Sequence, residues 1–255
     1  MSALSQPSFA EYLRYLRSAS PAARASKNGL LSRTNLAARA SVSVGYVIKL
    51  EQGRAVRPSP DVVDRIAGAL EVGAVENRHL HDLANYGHTA DDLAAGAATS
   101  TLITPVMREV ADNLYPHLAA YFDENWNILY ANSEFSRIHR GIESTGNVLK
   151  WLFFSPESRA VLVDWDAEAR LIVAWFRAHM VRRPGNGEFT LLLDDLASSA
   201  EFRQMWERQE VCMGRQSLHM LVRDLDFDEQ TGLLAQVYSW PPPSDDVQMF
   251  LGVNC

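Results

Sequence analysis

Ser43, Val44, Gly45 and Tyr46 open a predicted helix, and Lys49 follows one turn later. The set holds no nucleophile and no acid–base pair, so its chemistry is recognition rather than catalysis. Val44 is suited to pack on a thymine methyl, Ser43 to bond a base or a phosphate, and Gly45 to allow close approach. Tyr46 can face such a partner or pack inward. Ser32 and Arg33, at the exposed start of the preceding helix, and Arg54 and Arg57, in the loop that follows, suit phosphates. Few of these side chains are bidentate, so one copy should read sequence weakly. That favours a dimer on a palindrome with half-sites about one helical turn apart.

The elements that must position these residues lie between Gly29 and Gly53. Leu31, Leu36, Ala37, Ala40 and Val42 give a first helix an apolar stripe at helical spacing, with Ser32 as N-cap. A break follows at Ala40-Ser41-Val42, and Ser43 offers a second N-cap. Val44 to Gln52 then forms another helix, with Val47, Ile48, Leu50 and Glu51 toward the core and Gly53 as the stop. Two helices crossing over a turn this short can place the second in a DNA major groove.

Upstream, Ser8 and Glu11 have the spacing of a capping box, so a helix with Phe9, Leu13 and Leu16 on one face starts there. Residues 18–28 look like an insertion, a solvated loop whose Arg24 and Lys27 could approach phosphates. Downstream, Ser59 and Pro60 start a helix from Asp61 to Leu70, with Val62, Val63, Ile66 and Leu70 inward. A fifth helix, Glu76 to Tyr86, uses Leu80, Leu83 and Ala84; its His79 and His81 diverge, which argues against a metal site.

Net charge is −7 over 255 residues, which is unexpected for a chain that touches phosphates. Residues 1–87, however, hold 11 Lys and Arg against 7 Asp and Glu, a net of +4, and the remainder 13 against 24, a net of −11. A basic head on an acidic body confines any phosphate contact to the head. The composition is 47% hydrophobic, enough for packed cores in two domains, and no apolar run is long enough to span a membrane. The N-terminus is amphipathic and unlike a signal peptide. Cys212 and Cys255 are far apart and outside any CxxC, which argues for a reducing cytoplasm and against a zinc site or disulfide scaffold. No cofactor motif is present.

Residues 88–104 are small and polar, and serve as a linker between a helix-turn-helix domain over 1–87 and a second domain over 105–255. In the latter, a helix over Val106–Leu118 places Val106, Val110 and Leu114 on one face. Ala119–Phe122 and Ile128–Tyr130 flank a turn at Asp123-Glu124-Asn125, a hairpin that leads through Asn132 into a short helix. Asn147–Pro156 is a dense apolar patch. Long helices follow over Asp164–Met180 and Phe202–Val211. Strands come last, at Leu218–Val222, Leu225–Phe227 and Leu233–Trp240, with Thr231-Gly232 as a turn and Val247–Val253 as an edge strand.

Leu36-Ala37, Ala40, Val42-Ser43 and Leu50-Glu51-Gln52-Gly53 resemble the helix-turn-helix of the XRE (Cro and phage-repressor) family, with Ser41 where that family usually has glycine. The resemblance implies that Arg17 of the first helix pairs with Glu51. Over most of its length the chain resembles the MmyB-like regulators. The matches include Arg57-Pro58-Ser59-Pro60, Tyr130-Ala131-Asn132, Asn147 with Leu149, Leu152-Phe153, Asp164-Trp165, Glu201-Phe202-Arg203, Trp206 and His219. Tyr130, Met220 and Arg223 replace a usual tryptophan, proline and glycine. This second resemblance implies an α+β protein, an all-α XRE-type head followed by a PAS-like sensor. It also implies a cytoplasmic regulator, not an enzyme, that binds double-stranded DNA and a small apolar molecule, with fatty acids among the suggested ligands.

All six tryptophans lie beyond residue 120, an aromatic supply suited to an apolar cavity or simply to a core. The expected cavity residues are Phe122, Tyr130, Asn132, Phe135, Trp151, Phe153, Trp165, Trp206 and His219, the last oriented toward a ligand carboxylate or hydrogen-bonded within the core. Two other readings compete. An enzyme is disfavoured by the lack of GxGxxG, P-loop, GxSxG or HExxH motifs. The adjacent carboxylates Asp194-Asp195 and Asp245-Asp246 look solvated. An antitoxin-like repressor whose tail binds a protein partner would need apolar stretches open to solvent.

Overall fold

Serine side chains set the helix starts of the N-terminal half. Ser8, Ser20, Ser32, Ser43 and Ser59 each accept a hydrogen bond from the backbone N–H three residues on, which satisfies an amide that the first turn would leave free. The computed structural model describes residues 4–26, 28–54, 57–85, 103–182, 187–239 and 247–255. The head contains α1 (Phe9–Ala19), α2 (Pro21–Arg24), α3 (Arg33–Arg39), α4 (Val44–Glu51), α5 (Pro60–Leu70) and α6 (Ala74–Asn85). Its core joins Tyr12, Leu13, Leu16, Leu31, Leu36, Ala37, Val47, Leu50, Val63, Ile66, Leu70, Leu80 and Leu83.

The segment expected to be an inserted loop contains α2 instead. Ser20 caps it, Pro21 occupies its first position, and Ala22 and Ala23 are buried in the head core. Arg24 turns back onto the carbonyl of Ala19 at 2.9 Å, and Lys27 lies outside the described residues. Between α3 and α4, Ser41 adopts φ 52°, a left-handed conformation that favours glycine. The turn keeps its shape at the cost of local strain.

The second half is built on a five-stranded antiparallel sheet. Its strands are β1 (Leu118–Phe122), β2 (Ile128–Ala131), β3 (His219–Asp224), β4 (Glu229–Ser239) and β5 (Gln248–Asn254), in the order β2-β1-β5-β4-β3. The overall class is α+β. One face of the sheet is covered near β1 by α7 (Pro105–Asp112), where Met107 and Ala111 meet Ala119, Tyr121 and Met249. The opposite face carries the main apolar core beneath α8 (Ser133–Ile138), α9 (Ile142–Thr145), α10 (Val148–Phe154), α11 (Pro156–Val161), α12 (Trp165–Arg182), α13 (Gly187–Leu196) and α14 (Ala200–Glu207).

Several expectations are corrected. On α7 the buried stripe is Met107 and Ala111, while Val106 and Val110 are exposed; the helix ends at Asp112, well before the strand residue Leu118. The turn between β3 and β4 falls at residues 225–228, not at Thr231-Gly232, which pair with Val222 and Leu221. Asp224 accepts the Asp226 N–H at 2.9 Å, and Asp228 takes the left-handed conformation that closes the turn. β5 is a central strand with Met249 and Phe250 buried on its two faces, not an edge. α13 adds a helix beyond those expected from the sequence, and α14 stops at Glu207, short of the expected Val211, because Gln209 adopts φ 57°. Most of the expected linker, Trp240 and Asp245-Asp246 lie outside the described residues.

Candidate nucleic-acid interface and effector cavity

Glu51 ends α4 with its carboxylate almost wholly buried and holds two arginines. Arg17 Nε of α1 donates to Oε1, and Arg33 Nε of α3 donates to Oε2 at 2.5 Å. Arg17 also donates to the Leu31 carbonyl at 2.7 Å, and Arg14 to the Glu51 carbonyl at 2.5 Å. Three helices are thus fixed around the end of α4, and the expected Arg17–Glu51 pair is present. A buried pair of this kind contributes orientation more than net stability.

With its far end fixed, α4 presents its start to solvent. Ser43, Val44, Gly45 and Lys49 are exposed, whereas Tyr46 is half-buried against the head core. Ser43 Oγ accepts the Tyr46 N–H at 3.1 Å, which leaves its O–H as a donor. Among the arginines expected to meet phosphates the structure separates three situations. Arg54 is exposed and, like Lys49, pairs with no carboxylate among the described residues. Arg33 is committed to Glu51. Arg57 donates to the Asn85 carbonyl at 3.1 Å, at the end of α6, where a cation complements the helix dipole. Ser32 is exposed and occupied as the N-cap of α3.

In the second half, a cavity opens between the sheet and the helices. Phe122 and Trp126 of the hairpin, Phe135 and His139 around α8, Trp151 and Leu152 of α10, Ile172 and Trp175 of α12, and Met220, Val237 and Phe250 of the sheet line it, with Glu168 and Arg215 as the charged members. Its atom-free volume, mouth included, is about 550 Å³. Arg215 grips Glu168 through both terminal nitrogens at 2.6 and 2.8 Å. His139 is buried and its Nδ1 lies 3.2 Å from the Phe135 carbonyl, so in the neutral ring that nitrogen carries the proton. Burial lowers its pKa to about 4.

Phe122, Phe135 and Trp151 are thus in the cavity as expected, and the other six expected residues are not. Tyr130 lies on the opposite face, its hydroxyl donating to Asp112 at 2.9 Å and its ring beneath Arg108. Asn132 is a structural hub: its Oδ1 caps α8 and accepts from Ala119, and its Nδ2 donates to the Ala111 and His117 carbonyls. Phe153 packs edge-on against Trp165 and Phe202. Trp165 bonds the Leu152 carbonyl, and Trp206 carries the Arg177 guanidinium 3.9 Å above its ring. His219 is exposed on edge strand β3, neither in the cavity nor in the core. The cavity residues missed from the sequence include Trp126, Trp175, Glu168 and Arg215. The Asn-Trp-Asn turn was a usable signal for Trp126; the others come together only through the tertiary fold.

The head and the cavity share one element. Glu168, Ile172 and Trp175 of α12 line the cavity, while Val181 at its far end belongs to the head core and Arg182 reaches Asp82 of α6 at 3.3 Å. Between them Arg177 is buried, donating to Gln209 at 3.0 Å and to the Trp206 carbonyl. Burial lowers its pKa to about 10. Near this contact His79 is fully buried with neither ring nitrogen partnered, against Tyr12 at 4.7 Å. Burial, then the charges of Arg177 and Arg182, lower its pKa to about 3. His81 points away to Asp64 at 2.8 Å. No group of His, Cys, Asp and Glu among the described residues is placed to hold a metal.

Comparison with known families assigns both halves. Residues 8–80 match a helix-turn-helix domain, and residues 103–239 match the MmyB-like transcription regulator ligand binding domain. No curated protein matches the chain. The second description is that of a transcription regulator. The second covers more than half of the chain, and with the exposed start of α4 and the apolar cavity in view, the chain belongs to the MmyB-like transcription regulators.

Proposed function

We propose that this ligand-responsive DNA-binding regulator reads its operator through the start of α4 and that an apolar effector in the cavity resets its operator affinity. Fatty acids are among the candidates for that effector. The observation that carries the reading is α12, which forms part of the cavity wall at one end and part of the head core at the other. A ligand that favours one placement of α12 must then favour one placement of the head, which is the differential affinity such a response requires. A cytoplasmic site of action fits the absence, among the described residues, of any helix long and apolar enough to cross a membrane.

Dimerisation on a palindrome belongs to the same proposal. Leu221, Leu234 and Tyr238 share one face of the sheet and are exposed there, which supports a contact with a second copy. Light scattering of the operator complex tests it, and a monomeric complex would rule it out.

The DNA half of the proposal rests on Lys49 and Arg54. Replacing either with Ala should weaken operator binding about equally across sequences and reduce the slope of log K against log salt by about 1. Val44→Ala should instead reduce discrimination between sites. Fluorescence anisotropy over a salt series separates the two, and an unchanged slope in both charge variants would move the interface elsewhere.

A further inference from the structure

We propose that residues 212–217 are a lid over the cavity, latched by Arg215 on Glu168, and that the effector enters and leaves when the lid lifts. The proposal deepens the reading of the cavity as the effector site and rests on it. Three spaces meet at this segment. The cavity lies on its inner side. An open groove between α12 and β3, about 1380 Å³ with its mouth, is lined by Gln216 and Ser217. A second opening of about 710 Å³, mouth included, is lined by Met213 and Gly214. Glu168 and Met220 line both cavity and groove, Trp175 and Val237 both cavity and second opening, and Arg215 lines all three. The segment is therefore a partition between the apolar interior and solvent.

Its backbone is the part of the wall with least to lose by moving. The other lining residues come from helices and strands or their ends, except Trp126, whose turn is tied down by Asp123 and Asn147. Residues 213–217 make no main-chain to main-chain hydrogen bond with any described residue. The ends are anchored: Val211 packs on the head core, and the Leu218 carbonyl accepts from the Ala235 N–H at 2.6 Å. At Cys212 the N–H reaches the Ala174 carbonyl only at 3.4 Å. Between the anchors Gly214 adopts φ 135°, a conformation open to glycine and to few other residues.

Side chains close the segment. Arg215 donates to both Glu168 oxygens at 2.6 and 2.8 Å, and Arg182 meets the Met213 sulfur. The paired side chains of Arg215 and Glu168 are 5% and 15% exposed, so the pair sits at the boundary itself. Lifting the lid exchanges this pair for water around both charges, whereas moving a helix or strand breaks a series of backbone bonds. Opening is thus local, and the latch sets how often it occurs.

The test uses the full chain with Cys255→Ser, which leaves Cys212 as the only thiol. Cys212 is buried, its Sγ 3.3 Å from the Leu171 carbonyl, so it reacts with dithiobis(nitrobenzoate) only when the lid lifts or the chain unfolds. Without urea, Glu168→Gln should speed that reaction at least about tenfold, with far less urea dependence than global unfolding followed by circular dichroism. Decanoate and decanol then probe the route, through stopped-flow fluorescence of the cavity tryptophans. In Glu168→Gln both entry and exit should be at least about fivefold faster. Labelling of Cys212 that tracks global unfolding in both proteins, or faster exit with unaltered entry, would overturn the inference while leaving the cavity an effector site. Binding of neither probe would overturn the effector-site reading and the entry route with it.

Discussion

Glu51→Ala is expected to destabilise the head by about 3–5 kcal/mol and to abolish operator binding with it. The carboxylate is 1% exposed and faces the side chains of Arg17, 11% exposed, and Arg33, 47% exposed. Removing it leaves Arg17 charged, buried and deprived of its carboxylate, with only the Leu31 carbonyl remaining. The cost comes from that stranded charge, not from the net worth of the pair. Arg33→Ala should cost far less, about 0–1 kcal/mol, because solvent screens an exposed guanidinium. Urea denaturation of the three proteins gives the comparison; a loss below about 1 kcal/mol in Glu51→Ala would mean that the three-helix clamp does not organise the head.

Acid should destabilise both halves well above the usual carboxylate range. His79 and His139 have folded pKa values of about 3 and about 4, against an ordinary value of 6.5. The folded pKa is depressed in each case, so the unfolded chain binds the proton first and stability falls as pH falls through 6.5 toward 4. Each histidine removes up to about 1.4 kcal/mol per pH unit in that window, or about 2 kcal/mol between pH 7.5 and 5. Asp123, whose carboxyl is pushed up by burial, acts in the opposite sense, and Asp224, held low by Arg137, acts only at lower pH. His79→Phe loses no hydrogen bond, because neither ring nitrogen has a partner. It should flatten the pH dependence of the head and raise its stability at pH 7 by about 1–2 kcal/mol. Denaturation midpoints at pH 7.5 and 5 check this, and an unchanged midpoint in the unaltered chain would contradict it.

The head was legible in the sequence because its signals are local. Ser8, Ser32, Ser43 and Ser59 announce helix starts by side-chain chemistry that acts within one turn, and Leu36, Val47, Val63 and Leu80 recur at helical spacing. Only α2 escaped, although Ser20-Pro21 carried the same type of signal. The second half was less legible because its decisive contacts are long-range. The position of β5 depends on pairing with β1 and β4, more than a hundred residues and about ten residues away along the chain. Thr231-Gly232 looks like a turn by composition, yet three successive Asp residues, Asp224, Asp226 and Asp228, form the real one.

The cavity divides in the same way. Phe122, Phe135 and Trp151 belong to an aromatic supply that suits an apolar cavity or a core equally, and the fold places them on the cavity wall. Trp165 and Trp206 have the same composition but fill structural roles under Arg159 and Arg177. Nothing in the spacing of Glu168 and Arg215, 47 residues apart, indicates that they close one wall together.

The coupling of cavity to head through α12 is tested most directly by operator affinity, measured by fluorescence anisotropy with and without saturating amounts of whichever apolar probe stabilises the chain most. At saturation the affinity should change at least about fivefold, and Arg182→Ala, which removes the pairing with Asp82, should reduce that change while leaving probe binding intact. Equal operator affinity with and without a probe that demonstrably fills the cavity would contradict the account.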